Sequence, residues 1–94
     1  MTAGPDDAPF EVLFAPPATT ELGRLRADDA ARLRRAILSL AFEPRPQGVL
    51  RAAGTPYLRL RVGDLRVIYL VMEAERRVVI TRVAKRSEHT YRRL

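Results

Sequence analysis

Hydrophobic positions change their spacing along the chain, and the changes mark its elements. Phe10 to Phe14 (FEVLF) is β-prone and stops at Pro16–Pro17, which predicts a short opening strand. From Pro17 to about Arg26, Leu22 and Leu25 share a face and predict a short first helix. Proline is tolerated at its start because the missing N–H would have no intrahelical partner there. Ala30, Leu33, Ile37, Leu40 and Ala41 then recur at three- and four-residue spacing, the apolar stripe of a second helix. Asp28 is placed to cap that helix, Asp29 suits the positive end of its dipole, and Pro44 and Pro46 end it.

Further on, the period drops to two. Tyr57 to Val62 alternates, with Leu58, Leu60 and Val62 on one face and Tyr57, Arg59 and Arg61 on the other. Gly63–Asp64 predicts a two-residue hairpin turn, since glycine supplies the positive φ such turns need. Leu65 to Met72 is apolar on both faces except at Arg66, the pattern of a central strand. Glu73 to Arg76 turns the chain, and Val78 to Ala84 is a third β-branched strand. Residues 1–9 read as a loose tail, and the polar end KRSEHTYRRL as a short helix or tail. The expectation is one α+β domain over residues 10–94, ordered strand–helix–helix–strand–strand–strand. Its helical hairpin lies on one face of a small antiparallel sheet.

Composition narrows the picture. A chain of 94 residues suits one domain with a modest core. The longest apolar run, Val67 to Met72, is far short of the roughly 20 residues a membrane helix needs. The opening MTAGPDDAPF lacks the basic start and apolar stretch of a secretory leader, so the expected location is the cytoplasm. There is no cysteine, one histidine and no Gly-rich phosphate loop, so neither a metal nor a cofactor is expected. No serine stands beside a supporting base.

Charge is more informative. Residues 1–47 carry six basic and seven acidic side chains, whereas residues 48–94 carry eleven and four. The excess of positive charge therefore sits in the second half, and every basic residue except Lys85 is arginine. Arginine's planar fork suits phosphate, and nucleic acid is the commonest polyanion.

Hairpin register turns this excess into a cluster. With Gly63–Asp64 as the turn, Val62 pairs with Leu65, Arg61 with Arg66, Leu60 with Val67 and Arg59 with Ile68. Opposed residues share a face at ~4.5–5.5 Å between Cβ atoms, so Arg59, Arg61 and Arg66 are expected together, away from the helices. Like charges so placed repel, and an anion bound between them resolves the repulsion; splaying into solvent does so too. Arg66 interrupts an apolar strand and either binds an anion or pairs with Asp64 or Glu88. Just after the last strand, Lys85, Arg86, Glu88, His89 and Tyr91 lie within seven residues. His89 has the side-chain type that titrates near neutrality, and Tyr91 could stack on a base or pack the tail against the core.

FEVLFAPPA, FEPRPQGV, YLRLRVGDLRVIYLV and VVITRVAKRSEHTYRRL, in this order over residues 10–94, resemble toxins of the RelE/ParE superfamily from type II toxin–antitoxin systems. The resemblance implies a RelE-like fold and, in the RelE branch, metal-independent cleavage of mRNA in the ribosomal A site, which inhibits translation. It also implies a cognate antitoxin whose acidic or amphipathic segment covers the basic face. Carried onto this chain, the catalytic set is Arg59, Arg66, Arg86, His89 and Tyr91, with Arg61, Lys85 and Arg51 as RNA and phosphate contacts. Arg59 stands where the best-known member has lysine, and arginine is a poor general base. The same superfamily contains ParE-like gyrase inhibitors without nuclease activity. A non-catalytic RNA-binding or antitoxin-partner module is the third reading.

Overall fold

The computed structural model describes residues 8–86; the expected tail before Ala8 and the C-terminal segment with Glu88, His89 and Tyr91 lie outside the described residues. The order is β1 (Glu11–Phe14), α1 (Pro16–Gly23), α2 (Ala27–Ser39), β2 (Leu50–Arg51), β3 (Leu58–Val62), β4 (Leu65–Met72) and β5 (Arg77–Lys85). The sheet runs β1-β5-β4-β3-β2. The expected α+β class and element order hold, with two additions.

First, β1 joins the sheet parallel to β5, with Val12 beside Val78 and Phe14 beside Ile80. The sheet is therefore mixed and not antiparallel throughout as expected, which the long connection between these strands permits. Second, a two-residue strand, β2, pairs Leu50 with Arg59 and Arg51 with Leu58 at the other edge. Two residues are too few to carry an alternation, so this strand is silent in sequence.

The helices differ from expectation at their ends. Helix α2 starts one residue before Asp28, with Arg26 at the cap position and no side-chain cap. Asp28 is thus helical itself and cannot cap; its Oδ1 accepts the Asp29 N–H at 2.9 Å. Helix α1 ends at Gly23, and Leu25, now beyond it, still packs against the core.

Both helices cover one sheet face. Ala18 and Leu22 of α1 and Ala30, Leu33 and Ile37 of α2, followed by Leu40, bury against Leu58, Leu65, Val67, Tyr69, Val78, Ile80 and Val83. Tyr69 lies wholly inside and its hydroxyl donates to the Pro44 carbonyl at 2.7 Å. Burial pushes its phenol pKa up to about 12.

One ion cluster ties the helical layer to the sheet. Asp29, in the first turn of α2 and mostly buried, receives Lys85 Nζ of β5 at 2.8 Å and Arg32 Nη2 at 3.0 Å. Arg32 and Lys85 also reach Asp64 of the β3–β4 turn, at 3.4 and 3.9 Å. The Lys85 hydrogen bond holds the Asp29 carboxyl below the usual aspartate range and keeps Lys85 protonated above the usual lysine range.

Two outcomes follow. Leu33→Ala should cost about 2–5 kcal/mol in urea unfolding, and a loss under 1 kcal/mol would contradict a packed helix–sheet core. A lowered carboxylate pKa contributes stability above the unfolded value that is lost as pH falls through the folded one. The melting temperature should therefore drop below about pH 4. Asp29→Asn should start lower at pH 7 and fall less steeply in acid; parallel acid limbs for the two proteins would remove the ion cluster from the explanation.

Candidate phosphate-binding cleft

The face turned away from the helices is built by strand pairing. Gly63 takes φ +63 in the β3–β4 turn. From there the register runs Val62 to Leu65, Arg61 to Arg66, Leu60 to Val67 and Arg59 to Ile68, as the sequence predicts. Leu58, Leu65, Val67 and Tyr69 go inward, so Arg59, Arg61 and Arg66 must point outward, and all three are exposed.

A fourth arginine joins them because β5 is irregular. Ile68 pairs with Arg82 but Tyr69 pairs with Ile80, leaving Thr81 as an extra residue. The Thr81 hydroxyl donates to the Ile68 carbonyl at 3.0 Å. Such a bulge reverses the phase of the rest of the strand. Val83 consequently enters the core, Lys85 faces α2, and Arg86 falls on the arginine face. The Arg86 N–H donates to the Asp64 carbonyl at 2.8 Å, fixing the chain there.

The result is a recess of about 450 Å³ lined by Gly48, Leu50, Arg59, Arg61, Arg66 and Arg86. Among the described residues, no acidic side chain lines it. Most of the described acidic side chains serve other cations: Asp28 meets Arg26, Asp29 and Asp64 meet Arg32 and Lys85, Glu73 meets Arg45 at 2.6 Å and Glu11 meets Arg77 at 3.1 Å. Glu21 of α1 takes Arg82 at 2.6 Å and also accepts the Val83 N–H at 2.9 Å. The Arg82 hydrogen bond lowers the Glu21 pKa. Arg61 donates to the Gly63 carbonyl at 3.2 Å. Among the described residues, no carboxylate pairs with Arg59, Arg61 or Arg66.

Of the expected site residues, Arg59, Arg61, Arg66 and Arg86 come together. Lys85 does not: register with Leu65 turns it to the helical side, onto Asp29. Arg51 pairs with Leu58, placing it on that same side at the sheet edge, where its Nε donates to the Thr55 carbonyl at 3.1 Å. His89 and Tyr91 lie outside the described residues. Asp64, one expected partner of Arg66, is engaged by Arg32 and Lys85 instead. Gly48, at φ +91, and Leu50 complete the wall and were not expected from sequence. Their only signal is the PRPQGVL stretch, which reads as a plain loop.

Four arginines line one recess, and a guanidinium group can donate to a phosphate in a planar fork. Among the described residues, no group of three or more His, Cys, Asp or Glu could hold a metal ion. Nor is any described helix long and apolar enough to cross a membrane.

Comparisons with known proteins agree with this architecture. No curated protein matches the chain. Among solved structures, it is similar to a chain of the RelBE2 toxin–antitoxin complex from Mycobacterium tuberculosis, with 26% identity and a TM-score of 0.76 over 86% of this chain and 95% of that one. It is similar to a chain of the archaeal RelE–RelB complex from Pyrococcus horikoshii OT3, with 26% identity and a TM-score of 0.73 over 84% and 97%. The isolated E. coli RelE toxin shares the fold at 18% identity, with a TM-score of 0.74 over 89% and 94%. Residues 12–90 match the family described as the ParE toxin of the type II toxin–antitoxin system, parDE. This chain belongs to that toxin family, within the RelE/ParE superfamily, and carries an arginine cleft on the sheet face turned away from its helices.

Proposed function

We propose that this toxin is a metal-independent endoribonuclease that cuts messenger RNA in the ribosomal A site and so inhibits translation in the cytoplasm. The observation that supports the reading is the convergence of Arg59, Arg61, Arg66 and Arg86 on one recess. In the proposed reaction a ribose 2′-oxygen attacks its own 3′-phosphate, and the bond to the next nucleotide's 5′-oxygen breaks. The products are a 2′,3′-cyclic phosphate and a 5′-hydroxyl. Arg59, Arg61 and Arg66 hold the phosphate and stabilise its growing negative charge, while Arg86 stabilises the leaving oxygen. His89 or Tyr91 would carry the proton from the attacking hydroxyl to the leaving one.

A cognate antitoxin is the second proposed partner, with an acidic or amphipathic segment laid over the cleft. The toxin–antitoxin complexes among its structural relatives support this. The family description favours a second reading, a ParE-like gyrase inhibitor that cuts nothing.

Brief expression in cells, with mapping of RNA 5′ ends alongside plasmid supercoiling, separates the two. Cuts inside translated codons support the nuclease; altered supercoiling without cuts supports gyrase; neither outcome leaves a binding module. Arg66→Ala should lower cleavage ~10²–10³-fold and abolish growth arrest while the melting temperature stays close to wild type. A fully toxic Arg66→Ala would remove the arginine from the site.

A further inference from the structure

Beside the arginine cleft, the outer edge of the sheet forms a second recess of about 300 Å³, whose lining includes Leu50, Ala52, Tyr57, Arg59 and Ile68. Leu50 and Arg59 line both recesses, so the two adjoin. Leu50 is 56% exposed and Tyr57 39% exposed. The tight loop before β3 holds Tyr57 by its backbone. Its carbonyl accepts the Ala52 N–H at 3.0 Å, and its N–H donates at 3.2 Å to the Thr55 hydroxyl, which donates in turn to the Ala52 carbonyl at 2.9 Å. An aromatic ring is thus presented on a fixed backbone, two residues before Arg59, the start of the arginine row.

We propose that this recess takes the nucleobase adjoining the phosphate held in the cleft, with Tyr57 and Leu50 against the face of the base and Arg59 as the wall shared with the phosphate. The inference rests on the RNA reading of the cleft. It deepens that reading by naming what the chain grips beyond the backbone. Single-stranded nucleic acid is commonly held by cations on the backbone and aromatic or guanidinium planes on the bases. Among the described residues, the hydrogen-bonding side chains that line the recess are Arg51, Arg59 and Tyr57. Consecutive residues on one strand face are ~6.6–6.8 Å apart, so Arg59 and Arg61 stand one such step from each other. A phosphate between Arg61 and Arg66 delivers its attached nucleotide to the mouth of this recess.

The test uses the full-length toxin and a 2′-O-methyl RNA trinucleotide, which lacks the attacking hydroxyl and so reports binding without cleavage. One version carries a fluorescent 2-aminopurine base and another an abasic site at the same position. Wild-type binding should quench the 2-aminopurine. Tyr57→Ala should remove the quench and weaken the base-bearing RNA about tenfold, while binding the abasic RNA as wild type does; Tyr57→Phe should restore both. Unchanged quench and affinity in Tyr57→Ala, or an equal loss on both RNAs, would overturn the proposal. Arg66→Ala should weaken both RNAs alike. If it weakens neither while Tyr57→Ala keeps its selective loss, the base recess stands and the phosphate cleft falls. If the wild type binds neither RNA, both fall.

Discussion

Side chains on a strand alternate with a period of two, so β3 and β4 cannot bury one set of residues without exposing the other. The buried set is Leu58, Leu65, Val67 and Tyr69, and each such side chain gains roughly 1.5–3 kcal/mol on leaving water. The exposed set contains Arg59, Arg61 and Arg66. Repulsion between arginines on a wet surface is small beside these terms, because guanidinium groups can splay and water screens them. A one-residue slip would instead drive the arginines under α2, where an unpaired charge is far more expensive than any surface repulsion. The core therefore enforces the alignment of charges, and no attraction among them is required.

The same logic explains how charge is shared out. Carboxylates stand on the helical layer, the turns and the outer edges, and there they pair with Arg26, Arg32, Arg45, Arg77, Arg82 and Lys85. Lys85 and Arg86 are neighbours in sequence but face opposite sides of the sheet. One closes an ion cluster that docks α2, and the other completes the cleft. The Thr81 bulge makes that division possible, since without it Lys85 would turn to the open face and Arg86 away from it. Structure and site are thus coupled through one irregular residue.

Much of this was readable from residues alone. The Gly63–Asp64 turn and the apolar alternation around it determine the register, and with it the trio of arginines. Helices legible from the Ala30–Leu33–Ile37 stripe cover the expected face. The rest was hidden for physical reasons. Strand β2 is too short to show a period. The parallel pairing of β1 with β5 depends on contacts across the whole chain, which FEVLF cannot announce. Lys85 looks like a phosphate ligand in sequence because its partners, Asp29 and Asp64, are brought to it only by folding. A signal for the bulge was present: inward residues fall at Val78, Ile80 and Val83, and the three-residue step breaks the strict alternation.

The most direct measurement is a crystal structure of the full-length chain bound to a 2′-O-methyl RNA trinucleotide. The expected result is a phosphate between Arg61 and Arg66, with Arg59 and Arg86 in hydrogen-bonding reach. An RNA seated elsewhere, with these four guanidinium groups turned onto carboxylates, would contradict a phosphodiester grip on the open face of the sheet.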